Sequence, residues 1–264
     1  MCDAFPLASA ITSRFGVVKR ARNCFLYTAK GVRLTDMYQE EGRAILGWGG
    51  ASAFTVLKNV LNRGITGSFD TDFSPRADGS PKSQLSQAVT KLLSSERIIA
   101  VVTSKQLALQ TALRFAPDAT SFFRPWTTAV DWSTVKCVII APPLPWASSH
   151  YILAFSPNCS PLLCSEPIPA PLCAAFTRSI YDLIKAIPQR QEKDWFIYDS
   201  ILTRYWERRG PYLYPKVPQD RYPAFIEHCL EQTLVISPVY NQPSIVPFGA
   251  DKGVFRALDR NPFV

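Results

Sequence analysis

Histidine is nearly absent: His150 and His228 are the only two in 264 residues. A metal centre or a triad built on imidazoles has little to draw on. The run Ser148-Ser149-His150 sets its members side by side in sequence, where a triad seldom forms, and no G-x-S-x-G elbow is present. Cys159, Cys164 and Cys173 with His150 come nearest to a metal set. Their spacings match no paired C-x-x-C pattern, so they read as structural thiols. A Walker loop and a G-x-G-x-x-G are missing, and the glycines of Gly47-Trp48-Gly49-Gly50-Ala51-Ser52 lack the strand and lysine context that either needs. No catalytic residue and no metal ligand is assigned.

Long apolar runs are also lacking: none reaches the roughly 18–20 residues of a membrane-spanning helix. The first 22 residues are neither basic at their start nor apolar for long enough to read as a secretory signal. Cys2 has no preceding apolar segment of the lipoprotein kind. The cytoplasm is the expected location. Seven cysteines, an odd number without an export signal, then read as free thiols.

What is present is a hydrophobic content of 47% with 19% charged residues, enough to bury a core, on a length that suits one large domain or two lobes. The net charge of +8 is uneven, for residues 1–66 carry nine basic against four acidic side chains. The excess gathers at Arg14, Lys19, Arg20, Arg22 and the hairpin that follows. A basic end can attract phosphate or nucleic acid, and nucleic-acid binding through this region stands as a minor alternative. The cluster is sparse and reads first as a solvated face, so nucleic acid is not an expected partner.

Along the chain, Phe25-Leu26-Tyr27 and Val32-Arg33-Leu34 are strand-like runs joined by a turn in which Gly31 supplies positive φ. A glycine-rich bend, Ile45 to Gly50, leads to Ser52 as an N-cap and a helix with Phe54, Leu57, Val60 and Leu61 on one face, closed by Gly64. Residues 67–83 read as a long connection. Then come a helix over 85–93, a buried strand Ile98-Ile99-Ala100-Val101-Val102, the turn Thr103-Ser104-Lys105 and a helix over 106–115 with Leu107, Leu109 and Ala112 among its apolar positions. Val135 to Ile140 and Tyr151 to Phe155 are further strand candidates, and the prolines between 142 and 171 argue against helices there. Helical periodicity returns over 172–187. Residues 195–207 read as a helix or helical turn, and the remainder as a strand at 212–214, a helix to Glu231, strands at 234–236 and 244–246, and a short helix near 251–258.

Three of these stretches, in this order, carry a resemblance. Phe25, Tyr27, Gly31, Leu34, Asp36, Leu46 and Gly47 with the following helix resemble the N-terminal segment of class III aminotransferases, pyridoxal-phosphate (PLP) enzymes of fold type I. The element order over 98–115 is similar to that family's first large-domain strand and the helix that cradles the cofactor phosphate. Its N–H groups and dipole suit an anion, with Thr103 and Ser104 in the turn. The family's glycine and glutamate are missing there, and an N-cap role is the simpler reading of the hydroxyls. The layout after residue 210 is similar to the family's C-terminal small domain.

The resemblance implies an α/β fold: a reduced large domain with a mainly parallel sheet, plus a small α+β lobe from both chain ends. The expected segments are 1–66, 84–190 and 208–264. It also implies a Schiff-base lysine and a carboxylate at the pyridine nitrogen. Neither is placed: no Asp or Glu lies between Asp131 and Glu166, and no lysine between Lys136 and Lys185. A substrate-carboxylate arginine is missing from Asn241-Gln242-Pro243-Ser244 as well. A degenerate aminotransferase-like protein is therefore expected, non-catalytic, without a cofactor, acting by binding or assembly. A PLP-dependent aminotransferase with a rebuilt site is the alternative. The resemblance further implies a homodimer with Trp48, Gly49 and Gly50 at an interface, and a small anionic ligand at Thr103 and Ser104.

Overall fold

The computed structural model describes residues 5–67, 69, 71–73, 83–127, 130–146, 150–159 and 166–264. Cys2, Ser148, Ser149 and Cys164 of the sequence reading lie outside these described residues. The chain divides into two compact units, one of residues 1–49 with 189–264, the other of residues 50–188.

The first unit opens with α1 (Leu7–Phe15), β1 (Val18–Arg22), β2 (Phe25–Thr28) and β3 (Arg33–Asp36). The second, central unit holds α2 (Ala53–Asn62), α3 (Gln84–Leu93), β4 (Ile98–Val102), α4 (Lys105–Phe115), β5 (Thr120–Phe122), β6 (Cys137–Ile140), β7 (Tyr151–Phe155) and α5 (Ala170–Ala186). The first unit resumes with α6 (Lys193–Phe196), α7 (Asp199–Leu202), β8 (Trp206–Arg209) and β9 (Tyr212–Pro215). It ends with α8 (Tyr222–Glu231), β10 (Leu234–Val235), β11 (Ser244–Ile245) and α9 (Arg256–Arg260). Among the described residues, no helix is long and apolar enough to cross a membrane.

In the first unit the expected hairpin is β2–β3, antiparallel with Leu26 opposite Leu34, and Gly31 takes φ +77° at its turn. The sheet order is β1-β2-β3-β10, with β10 parallel to β3. A second sheet, β11-β9-β8, contradicts the helical reading of 195–207 at its end. Trp206 begins β8, pairs across to Pro215, and is fully buried against Phe225 of α8. Local apolar spacing suggested a helix; pairing with β9 and aromatic burial decide for a strand.

The central sheet has the order β4-β7-β6-β5. β7 is antiparallel to both its neighbours and β5 is parallel to β6, so three of the four strands point the same way. Their near-continuous apolar sequences follow from burial on both faces. Ile99, Val101, Val138, Ile140, Ile152 and Ala154 pack with Leu85 and Val89 of α3 and with Phe176 and Ile180 of α5. The alternate residues Ala100, Val102, Cys137, Ile139, Leu153 and Phe155 pack with Ala108 and Ala112 of α4. Of the apolar positions of α4, Ala112 is buried whereas Leu107 and Leu109 are exposed, and the small alanines let α4 lie close to the sheet.

α2 packs along α5 within this unit. Ser52 does not cap α2 with its own hydroxyl. Asp182 of α5 does so instead, accepting from Ser52 N–H at 3.1 Å and from its Oγ–H at 2.7 Å. A carboxylate at a helix start satisfies an orphan N–H and meets the positive dipole end, an effect of about 1 kcal/mol.

Candidate functional site

Because β4, β5 and β6 run in one direction, Val102, Phe122 and Ile140 end at a common sheet edge, and β7 starts there at Tyr151. The carboxyl edge of such a sheet is where α/β folds place their ligands, since the strand ends release the chain into loops. The residues delivered to it are Thr103, Ser104 and Lys105 after β4, Arg124 after β5, the turn Ala141-Pro142-Pro143 after β6, and His150 before β7.

The turn after β4 is the best-defined part. Ser104 has extended backbone angles, and its Oγ accepts the Leu107 N–H at 3.1 Å, which makes it the N-cap of α4. Thr103 N–H points to the same helix end and donates to a carboxylate oxygen of Glu166. Glu166 is held there by its own backbone, whose N–H donates to Val101 O at 2.9 Å. A negative group thus occupies the position the resemblance assigned to a phosphate, and Glu166, the residue that fills it, was not identifiable from sequence. Lys105 is exposed, with Nζ 5.9 Å from the centroid of the Phe122 ring. The His150 ring packs on Phe176 with centroids 5.6 Å apart.

The other singled-out residues have structural partners. Trp48 is half-buried, and its Nε1–H donates to Asp36 Oδ2 at 2.8 Å. Gly49 is exposed, whereas Gly50 has φ +63°, and a Cβ there would fall 2.3 Å from the Phe54 ring. Glycine at 50 is therefore demanded by backbone and packing. Among the described residues no group of His, Cys, Asp and Glu could hold a metal ion. Burial pushes the Cys137 and Cys173 thiols up to about 12, which keeps them protonated and unreactive.

No family model matches the chain. A relative of 26% identity, an uncharacterized protein of Treponema pallidum (strain Nichols), aligns over 90% of this chain and 91% of its own length. Solved structures with a similar fold include ornithine aminotransferase from Plasmodium yoelii, with TM-score 0.68 and 9% identity over 92% of this chain and 91% of that one. N-acetylornithine aminotransferase from Stenotrophomonas maltophilia K279a matches with TM-score 0.65 and 14% identity, over 96% of this chain and 97% of that one. Ornithine aminotransferase from Toxoplasma gondii, with PLP in partial occupancy at its active site, matches with TM-score 0.65 and 9% identity over 92% of this chain and 88% of that one. The expectation of no cofactor is corrected, because a neighbour of the same fold holds PLP at its active site. The chain has an aminotransferase-like fold.

Proposed function

We propose that the chain is an aminotransferase-fold binding protein that takes the phosphate of PLP, or of a similar aromatic phosphate, at Thr103 and Ser104 without transaminase activity of its own. Glu166 carries this reading: its carboxylate already accepts the Thr103 N–H at the start of α4, so the position favours negative charge. A phosphate has more charge and more acceptor oxygens than the carboxylate it would displace, and Lys105 at the first position of α4 adds a cation. When bound, PLP would supply an aldehyde and an electron-withdrawing ring. The binding-only reading is supported by the lysines. Among the described residues, the central unit's Lys58, Lys91, Lys105, Lys136 and Lys185 are all exposed, and Ala141-Pro142-Pro143 after β6 offers no amine. A second reading, an active PLP enzyme with a rebuilt site, is favoured only by the position of Lys105 at the carboxyl edge.

Glu166→Gln removes the competing charge and is expected to tighten inorganic phosphate and PLP by up to about tenfold. Ser104→Ala is expected to lower stability by about 1 kcal/mol. Titration calorimetry on the full chain checks the first, and unchanged phosphate affinity in E166Q would overturn the site. Borohydride treatment of the PLP mixture separates the readings: no stoichiometric lysine adduct is expected, and a stoichiometric adduct on Lys105 would favour the active-enzyme reading over binding alone. A homodimer also belongs to this proposal, with a particle of twice the 29.5 kDa chain mass expected in light scattering.

A further inference from the structure

The first unit contains a cavity of about 280 Å³ whose wall includes Asn23, Cys24, Gln39, Ile45, Arg190 and Phe248. This is slightly below the usual range for drug-sized ligands, so it suits a smaller molecule. Gln39 is 3% exposed, yet its side-chain amide makes no hydrogen bond among the described residues. Gln39 lines the cavity, so a ligand's polar group or water can meet its amide there.

The backbone around it is strained. Gln39, Glu40 and Glu41 have φ of +50°, +50° and +60°, and Gly42 has +88°, so three side-chain-bearing residues in succession adopt the left-handed conformation. The buried Asp36 carboxylate holds this turn by accepting N–H groups from Tyr38 and Gln39 at 3.0 and 2.9 Å. Strain of this kind persists where surrounding contacts over-determine it, and it recurs at ligand clamps.

On the cavity wall, Arg190 lays its guanidinium 4.0 Å from the centroid of the Phe248 ring and donates through Nη1 to Ile45 O at 2.8 Å. The fork is thereby pre-oriented, and little side-chain freedom remains to be lost on binding. Burial lowers the Arg190 guanidinium to about 10 in spite of Asp194, so an anion in the cavity would relieve a real cost. Burial also raises the Cys24 thiol to about 11, which leaves it neutral and unable to repel such an anion.

We propose that this cavity binds a small organic carboxylate, its oxygens against the Arg190 guanidinium and its remaining polar group against the Gln39 amide. The site lies on elements other than the Asn241–Ser244 neighbourhood where an arginine was sought, and it is independent of the Thr103–Ser104 turn. The test is calorimetry and thermal denaturation of the full chain with acetate, glycolate, succinate and glutamate, and with inorganic phosphate as the contrasting anion.

At least one carboxylate is expected to bind saturably at millimolar concentration or below and to raise the melting temperature. Gln39→Gly suits the left-handed backbone, so it should leave the ligand-free melting temperature unchanged or a few degrees higher while weakening that carboxylate at least tenfold. Arg190→Lys should weaken it similarly. Absence of saturable binding by all four carboxylates, or binding that survives Q39G undiminished, would overturn the site.

Discussion

Replacing Arg97 by methionine should destabilise the protein by about 3–5 kcal/mol, from several carbonyls that lose their donor at once. Arg97 is 1% exposed, yet none of its hydrogen-bond acceptors is a carboxylate. Nε–H donates to Ser95 Oγ at 3.0 Å, Nη1 to Val135 O at 2.5 Å, and Nη2 to Trp132 O and Ser133 O at 2.8 and 3.0 Å. The cation is thus dissolved in backbone carbonyls, and burial lowers its affinity for protons. These bonds gather the turn ahead of β6 onto the residue just ahead of β4. Methionine fills the space but leaves those carbonyls without the fork that gathers them. Lysine should recover less than half of the loss, because one ammonium cannot span acceptors arranged for a planar fork. Melting temperatures should fall by about 6–20 °C for methionine, on the usual scaling for a chain of this size. Full recovery in R97K would show that charge alone matters there.

The second large effect is a pH dependence centred on Asp36. Burial is the main cause that raises its carboxyl from the ordinary 3.8 to about 6, against the N–H groups of Gln39, Trp48 and Tyr38, which favour the charged form. The folded protein therefore keeps this proton to higher pH than the unfolded chain does. Stability from this group is fully present below about pH 4 and declines as pH rises toward about 6, by about 3 kcal/mol in all. Above pH 6 both states are ionised and the contribution is flat. Urea unfolding of wild type and Asp36→Asn at intervals from pH 4 to 7 checks this, since the difference between the two proteins should change across that window. A constant difference would show that Asp36 does not titrate in it.

Elements with a strong internal period were legible in the sequence. The hairpin around Gly31, the α3 face of Leu85, Ala88, Val89 and Leu93, and the apolar strands β4 and β7 follow from local residue type alone. β1, β5 and β8 were not legible: Val-Lys-Arg-Ala-Arg, Thr-Ser-Phe and Trp-Glu-Arg-Arg become strands only through their partners. In α4 the period left the inward face undecided between leucines and alanines, and packing against the sheet selected Ala108 and Ala112.

The site was legible only in part. Thr103 and Ser104 stand out as hydroxyls between a strand and a helix. The carboxylate that meets them comes from Glu166, 63 residues away, and no local pattern announces it. The left-handed run at Gln39 to Glu41 is equally silent, because glycine, the usual signal for positive φ, appears only at Gly42.

The parallel pairing of β3 with β10 has a consequence for biosynthesis. Asp36 leaves the ribosome roughly two hundred residues before Val235, a delay of about 10–40 s at ordinary elongation rates. The central unit is continuous in the chain and can complete itself during that interval. The β1–β2–β3 ribbon meanwhile has to wait with the β3 edge unpaired. Exposed strand edges invite pairing with other chains, and Lys19, Arg20 and Arg22 on β1 give the waiting ribbon a repulsive charge that discourages it.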